Sequence, residues 1–281
     1  MAARGAAKPL QHLWRCDVAM ARLLRARRHE PGARRILAEG WVGRWPLSFL
    51  AAPQGLGRSV ARLLQKPSYP KLCKPKLFFP FLTGKPVWPS NDAVSQALTS
   101  RWEEIREEFR AVMAESASAD VNTKGLTARG SWQKVPLWSH GQPHTENLAK
   151  CPVTAEILAG LPLCKSLGMV YFSQLAPGTA VKPHFGPTNA RLRYHLGLDV
   201  PEGNVMLAVA DGYYRWAEGK TLVFNDAFIH AVHHEESTPR GVLVVDIYHP
   251  DLLEDERRLL EDLEKVHNSF FPAEYTRVLP H

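Results

Sequence analysis

Between Gly168 and His249 the chain alternates apolar and polar positions in short runs, each closed by turn-forming residues. Residues 169–175 end at Pro177-Gly178, residues 192–198 at Pro201-Glu-Gly, and residues 204–210 at Asp211-Gly212. Residues 220–224 end at Asn225-Asp226, residues 229–233 precede the polar loop 235–239, and residues 240–248 close the set. Period-two alternation at this spacing predicts strands of a sandwich or barrel, and their number and length match a jelly roll, or double-stranded β-helix. The expected fold is mainly β with flanking helices around a cupin-like barrel.

Upstream the period changes. Trp102, Ile105, Phe109, Val112 and Met113 recur at helical spacing after Ser100-Arg-Trp-Glu, a capping-box pattern, which predicts a helix with its apolar stripe on the domain. Glu103, Glu104, Glu107 and Glu108 then fall on the solvent side. Residues 251–265, rich in Leu and Glu, read as a surface helix. Residues 1–68 read as an extension with helical pieces around 18–27 and 57–65, and prolines from Pro67 to Pro89 mark an extended stretch. The organisation expected is an extension, 1–68, and a domain, 69–281, with the barrel core at about residues 168–250.

Charge sharpens this division. The formal net charge is +7, but from Met1 to Lys76 the only acids are Asp17, Glu30 and Glu39, set among Arg4, Arg15, Arg22, Arg25, Arg27, Arg28, Arg34 and Arg35. Beyond Asp92 the signs are mixed, so the excess belongs to the extension and gives the domain no nucleic-acid footprint. An Arg-rich, acid-poor leader has the composition of an organelle transit segment, or is a basic extension with no address. Cytoplasm and organelle (mitochondrion or plastid) stay open; the absence of an apolar run before a small-residue cleavage site argues against a secretory route. With no run of eighteen apolar residues, no transmembrane segment is expected. Cys16, Cys73, Cys151 and Cys164 form no C-x-x-C pair and no zinc framework, although Cys151 and Cys164 are close enough to pair under oxidising conditions.

The chemistry concentrates on four short segments. In Arg191-Leu-Arg-Tyr-His-Leu-Gly-Leu, alternation puts Arg191, Arg193 and His195 on one face and Leu192, Tyr194, Leu196 and Leu198 on the other. If the polar face points inward, unpaired guanidiniums there cost on the order of several kcal/mol each, so an anionic ligand is expected; the alternative is an outward, solvated face. Arg240 opens a later strand, and a dicarboxylate held between Arg193 and Arg240 suits the planar fork of arginine. His184, in Lys182-Pro-His-Phe-Gly-Pro, and His230, in Phe228-Ile-His-Ala-Val, are candidate metal ligands, although a histidine on a strand is also a common structural residue.

Several ordered blocks carry a resemblance. Phe78-Phe-Pro-Phe, Trp102-Glu-Glu-Ile-Arg, Gly130-Ser-Trp, Pro177-Gly-Thr, Pro183-His-Phe-Gly-Pro-Thr-Asn, the Arg191 strand, Trp216-Ala-Glu-Gly-Lys, Phe224-Asn-Asp-Ala-Phe-Ile-His and Asp246-Ile-Tyr-His-Pro resemble the aspartyl/asparaginyl β-hydroxylase family in order and spacing. The resemblance covers roughly residues 70–250 and implies a double-stranded β-helix using iron(II), 2-oxoglutarate and O₂. It implies His184 and His230 as iron ligands. It places Trp132, Ser173, Arg193, His195 and Arg240 around 2-oxoglutarate, with Ser173 and Arg240 on its distal carboxylate. Arg191 and Asp226 fall on the substrate side. Gly186 stands where the usual triad has an acid, as in the family's peptide-modifying branch. The implied reaction couples decarboxylation of 2-oxoglutarate to succinate with hydroxylation of a C–H bond, expected at the β-carbon of Asp or Asn in a peptide or protein.

Two departures keep alternatives open. The tetratricopeptide region and membrane anchor of the vertebrate members are not found in this sequence, and Phe185 replaces a smaller residue beside His184. A hydroxylase of a small molecule or lipid, and a non-catalytic binding relative with the same fold, are the other readings. The sequence does not specify an oligomeric state.

Overall fold

The structure is a computed structural model describing residues 22, 23, 26, 27, 29–33, 42, 43, 72–75, 77–79, 81–115, 125–139 and 141–270. In chain order these form β1 (Val42–Gly43), β2 (Leu77–Phe78), β3 (Val87–Trp88), α1 (Ala93–Ser100), α2 (Trp102–Glu115), β4 (Thr127–Arg129), β5 (Trp132–Ser139) and β6 (Gln142–Pro143). They continue as α3 (Thr145–Ala149), α4 (Pro152–Ala159), β7 (Met169–Leu175), β8 (Ala180–His184), β9 (Arg191–Asp199), β10 (Val205–Val209) and β11 (Gly212–Arg215). Last come β12 (Thr221–Phe224), β13 (His230–His234), β14 (Arg240–Tyr248) and α5 (Glu254–Phe270).

Contacts divide the chain into two units. One comprises residues 1–68, 77–81 and 250–281. In it α5 buries Leu259, Leu260 and Leu263, and Arg27 pairs with Glu30 at 2.7 Å and with Asp262. Of the predicted piece 18–27, residues 22, 23 and 26 are helical; the piece 57–65 and most of the arginine-rich segment lie outside the described residues. No described helix is long and apolar enough to cross a membrane.

The other unit, residues 69–76 and 82–249, holds the barrel. Two antiparallel sheets make a double-stranded β-helix: one ordered β3-β12-β9-β14-β7-β5-β6, the other β11-β10-β13-β8-β4. Strand β9 sits near the middle of the larger sheet, so both of its faces are covered. Leu192, Tyr194, Leu196 and Leu198 point out of the barrel into a cluster with Leu98 of α1, Ile105 and Phe109 of α2 and Leu158 of α4. Each fully buried Leu there contributes about 1.5–3 kcal/mol. That cover forces Arg191, Arg193 and His195 into the barrel interior.

Two local expectations change. Ser100 is the last residue of α1, and its hydroxyl donates to the Ala97 carbonyl at 2.8 Å, so no capping box forms; only Arg101 separates α1 from α2. Glu108 does not face solvent. Its carboxylate accepts from the backbone N–H groups of Val153 and Thr154 at 2.7 and 2.9 Å and from the Thr154 hydroxyl at 2.6 Å. These are donors at the start of α4 that its N-cap, Cys151, leaves without a side-chain bond. Cys73, Cys151 and Cys164 are all buried.

Candidate functional site

Strands β8 and β13 pair so that His184 and His230 are direct register partners, their ring centroids 4.0 Å apart. Each ring is oriented by a carbonyl two residues back: His184 Nδ1 lies 2.8 Å from Lys182 O, and His230 Nδ1 lies 2.9 Å from Phe228 O. A carbonyl only accepts, so each Nδ1 carries the proton and each Nε2 is left with a lone pair, the tautomer a metal ligand needs. Burial lowers the basicity of both rings, and the neighbouring imidazole pushes His230 further, to about 3. The pair is therefore neutral at physiological pH.

Among the described residues no third His, Cys, Asp or Glu completes a ligand group. A reason lies at Gly186. A Cβ there would meet the Asp226 carboxyl carbon at 2.3 Å, so the space a triad acid would need already holds the carboxylate of Asp226. The loop that brings Asp226 there is tied by Gly186 N–H to Asp226 O at 2.6 Å, and by Asn225 Oδ1, which accepts from Ala227 N–H at 3.0 Å.

The arginines of β9 are paired with the protein's own acids. Arg191 pairs with Asp226 at 2.7 Å and Asp246 at 3.0 Å, and also donates to the Leu167 carbonyl. Arg193 makes a bidentate pair with Asp246 at 2.8 and 2.9 Å and approaches Asp226 at 3.2 Å. Burial pushes the Asp226 carboxyl up, but the charges of Arg191 and Arg193 outweigh it and hold it well below the usual range. Two cations and two carboxylates thus balance one another, so burial of Arg191 and Arg193 is already offset within the protein. Arg191 and Asp226, both expected on the substrate side, are partners of one another.

Arg240 is different. It is 2% exposed, its Nε and Nη1 have no hydrogen-bond partner among the described residues, and burial pulls it down to about 10, still cationic at neutral pH. It packs on the face of Trp216, 4.5 Å from the ring centroid. A buried, unsatisfied guanidinium is costly unless an anion completes it. Two strands away, Trp132 Nε1 donates to Ser173 Oγ at 2.9 Å, which leaves the Ser173 hydroxyl hydrogen free for another acceptor. Register puts Trp132 opposite Leu175, and Leu175 opposite Arg240.

His195 faces the same interior. Trp216 Nε1 donates to its Nδ1 at 3.2 Å, so the proton of the neutral ring sits on Nε2. Burial, then repulsion from Arg240 and Arg193, holds His195 well below its ordinary basicity. Trp216, which neither periodicity nor charge pattern marks as a site residue, is placed by Gly197: a Cβ there would lie 2.2 Å from the Ala217 carbonyl, so only glycine lets this loop settle on β9. Its signal in the sequence is the Trp216-Ala-Glu-Gly-Lys block. Asp246 opens a block of the same kind, Asp246-Ile-Tyr-His-Pro, whereas Lys134 carries no comparable signal.

The barrel interior thus brings together His184, His230, His195, Arg193, Arg240, Trp132 and Ser173. Two imidazoles could hold a divalent metal, and Arg240 with Ser173 could hold a carboxylate. Residues 99–250 match the sequence profile described as Aspartyl/Asparaginyl beta-hydroxylase. The human protein named aspartyl/asparaginyl beta-hydroxylase is 34% identical over 187 residues, covering 64% of this chain and 24% of its own. Human aspartate beta-hydroxylase domain-containing protein 2 is 34% identical over 224 residues, covering 74% of this chain and 60% of its own. The chain therefore matches about a quarter of the first relative and under two thirds of the second. Among solved structures, a Pseudomonas putida prolyl-4-hydroxylase aligns over 54% of this chain and 87% of its own, with 17% identity and a TM-score of 0.34.

Proposed function

Because the chain belongs to the aspartyl/asparaginyl β-hydroxylase family, we propose that it is an iron(II)- and 2-oxoglutarate-dependent dioxygenase that hydroxylates the β-carbon of Asp or Asn in a peptide or protein. The observation that carries the reading is the unsatisfied Arg240 in the same interior as two histidines whose Nε2 atoms are free.

His184 and His230 would hold the iron, which when bound supplies the site for O₂ activation coupled to decarboxylation of the keto acid. The residues do the rest. Arg240 neutralises the distal carboxylate of 2-oxoglutarate and gains the acceptor it lacks, with the Ser173 hydroxyl donating beside it. Trp216 fixes both Arg240, by its ring face, and His195, by its N–H. His195 offers its Nε2 proton as a fixed donor and, being neutral, adds no charge. Asp226, immobilised by two arginines, keeps a carboxylate beside the ligand pair without entering it.

The test is iron-dependent conversion of 2-oxoglutarate to succinate, with a peptide library containing Asp and Asn scored for a gain of one oxygen. Succinate that forms only with iron, and a modified Asp or Asn, support the proposal. No succinate from the iron-loaded protein, or an oxygen placed on another residue type or on a small molecule, overturns it.

A further inference from the structure

Lys134 has no role in the chemistry above, yet it stands inside the barrel. It is the register partner of Ser173, and its ammonium lies 3.7 Å from the centroid of the Trp132 ring and 4.8 Å from that of Tyr171. It is half-buried and, among the described residues, makes no hydrogen bond or ion pair. Four cations, Arg191, Arg193, Arg240 and Lys134, thus share this interior with two carboxylates, Asp226 and Asp246. Those two acids are already bound to Arg191 and Arg193. One surplus cation, Arg240, answers to the distal carboxylate of the cosubstrate, whose other carboxylate belongs at the metal. Lys134 is left over.

We propose that Lys134 receives the carboxylate of an acidic acceptor side chain, so that the preferred acceptor is Asp rather than Asn. The inference rests on the hydroxylase reading and deepens it. The aromatic faces of Trp132 and Tyr171 shelter the ammonium without supplying an oxygen, so its three donors stay available to an entering carboxylate. Burial, and then the charge of Arg193, lowers the lysine to about 7, with Asp246 opposing. An arriving carboxylate would restore the full charge, which an amide could not do.

The test uses the full chain with zinc in place of iron, lysines labelled at ¹³Cε, and the Lys134 resonance identified by its loss in Lys134→Met. Saturation with 2-oxoglutarate should leave that resonance in place. N-acetyl-aspartate amide, added next, should move it; N-acetyl-asparagine amide should not. Lys134→Met should keep the 2-oxoglutarate Kd within about twofold and bind the acid and the amide equally, while Lys134→Arg should restore the preference for the acid. A resonance moved by 2-oxoglutarate alone would assign Lys134 to the cosubstrate and overturn the proposal, and so would one that neither ligand moves. None of these readouts needs turnover, so absence of succinate from the iron-loaded protein would count against the hydroxylase reading separately.

Discussion

The imidazole of His184 lies against that of His230, centroids 4.0 Å apart, each with its Nδ1 proton committed to a backbone carbonyl. Replacing either ring by Ala removes one of two nitrogen donors while leaving the strands paired. Metal affinity should fall by more than the ~10–100-fold typical of losing an outer-shell partner. Calorimetric titration with iron(II) under anaerobic conditions checks this, and the metal-free melting temperature should change by only a few degrees. An Ala variant that binds metal as tightly as the parent would remove the site.

The same rings set a pH dependence. His184, His195 and His230 all sit below their ordinary pKa of about 6.5, mainly because they are buried. The unfolded chain therefore binds more protons than the fold once pH drops below that value, and stability must fall with it. The metal-free protein should lose stability steadily from pH 6.5 to pH 5, before the depressed carboxyl of Asp226 begins to titrate. Urea denaturation at three or four pH values reads this directly; stability rising over that interval would mean the histidines are charged in the fold.

How far the sequence reaches is clearest on β9. Its alternation sorted the side chains into the two faces found, because a strand's period is fixed, and the apolar cover of the helices then decides which face is interior. The strands 169–175 and 240–248 were legible to the residue for the same reason. What alternation could not supply was the counter-charge: Asp226 and Asp246 reach Arg191 and Arg193 from 35 and 53 residues away. With those partners unseen, two balanced arginines looked hungry for a ligand, and the unbalanced one, Arg240, was no more conspicuous. Strand β8, interrupted by Pro183 and half exposed, and β5, whose buried and half-buried positions do not alternate strictly, lack the contrast that makes a strand visible.

The buried quartet should be fragile at Asp246. This side chain holds both arginines and also accepts from Met169 N–H at 2.9 Å. Asp246→Asn leaves two guanidiniums with one carboxylate in a dry interior, where breaking such a pair costs about 3–5 kcal/mol. Urea denaturation of the metal-free protein should show that loss with an unchanged slope. A cost below ~1 kcal/mol would mean that water reaches the quartet and screens it.

Arg240 should behave in the opposite way. With no acceptor for its Nε or Nη1 among the described residues, its guanidinium contributes little to folding, so Arg240→Met should melt no lower than the parent. The same change should raise the 2-oxoglutarate Kd by roughly 30-fold or more, the ~2–5 kcal/mol expected when one side of a buried charged pair is removed. Titration of the zinc-loaded protein with 2-oxoglutarate separates the two effects. Unchanged cosubstrate affinity would leave Arg240 a structural cation stacked on Trp216.

Restoring an acid at position 186 tests why the ligand set stops at two. An Asp there supplies the residue type of a facial triad, but its Cβ would stand 2.3 Å from the Asp226 carboxyl carbon and 2.4–2.5 Å from both of its oxygens. The obstacle cannot swing aside, since Arg191 and Arg193 hold that carboxylate from two directions. Gly186→Asp should therefore lower the melting temperature and weaken metal binding rather than strengthen it. Removing the obstacle, in Gly186→Asp with Asp226→Ala, returns one carboxylate to the same volume and should recover much of the metal affinity lost. A single Gly186→Asp variant that binds iron more tightly than the parent would show that Asp226 is mobile, and the account of the missing ligand would fall with it.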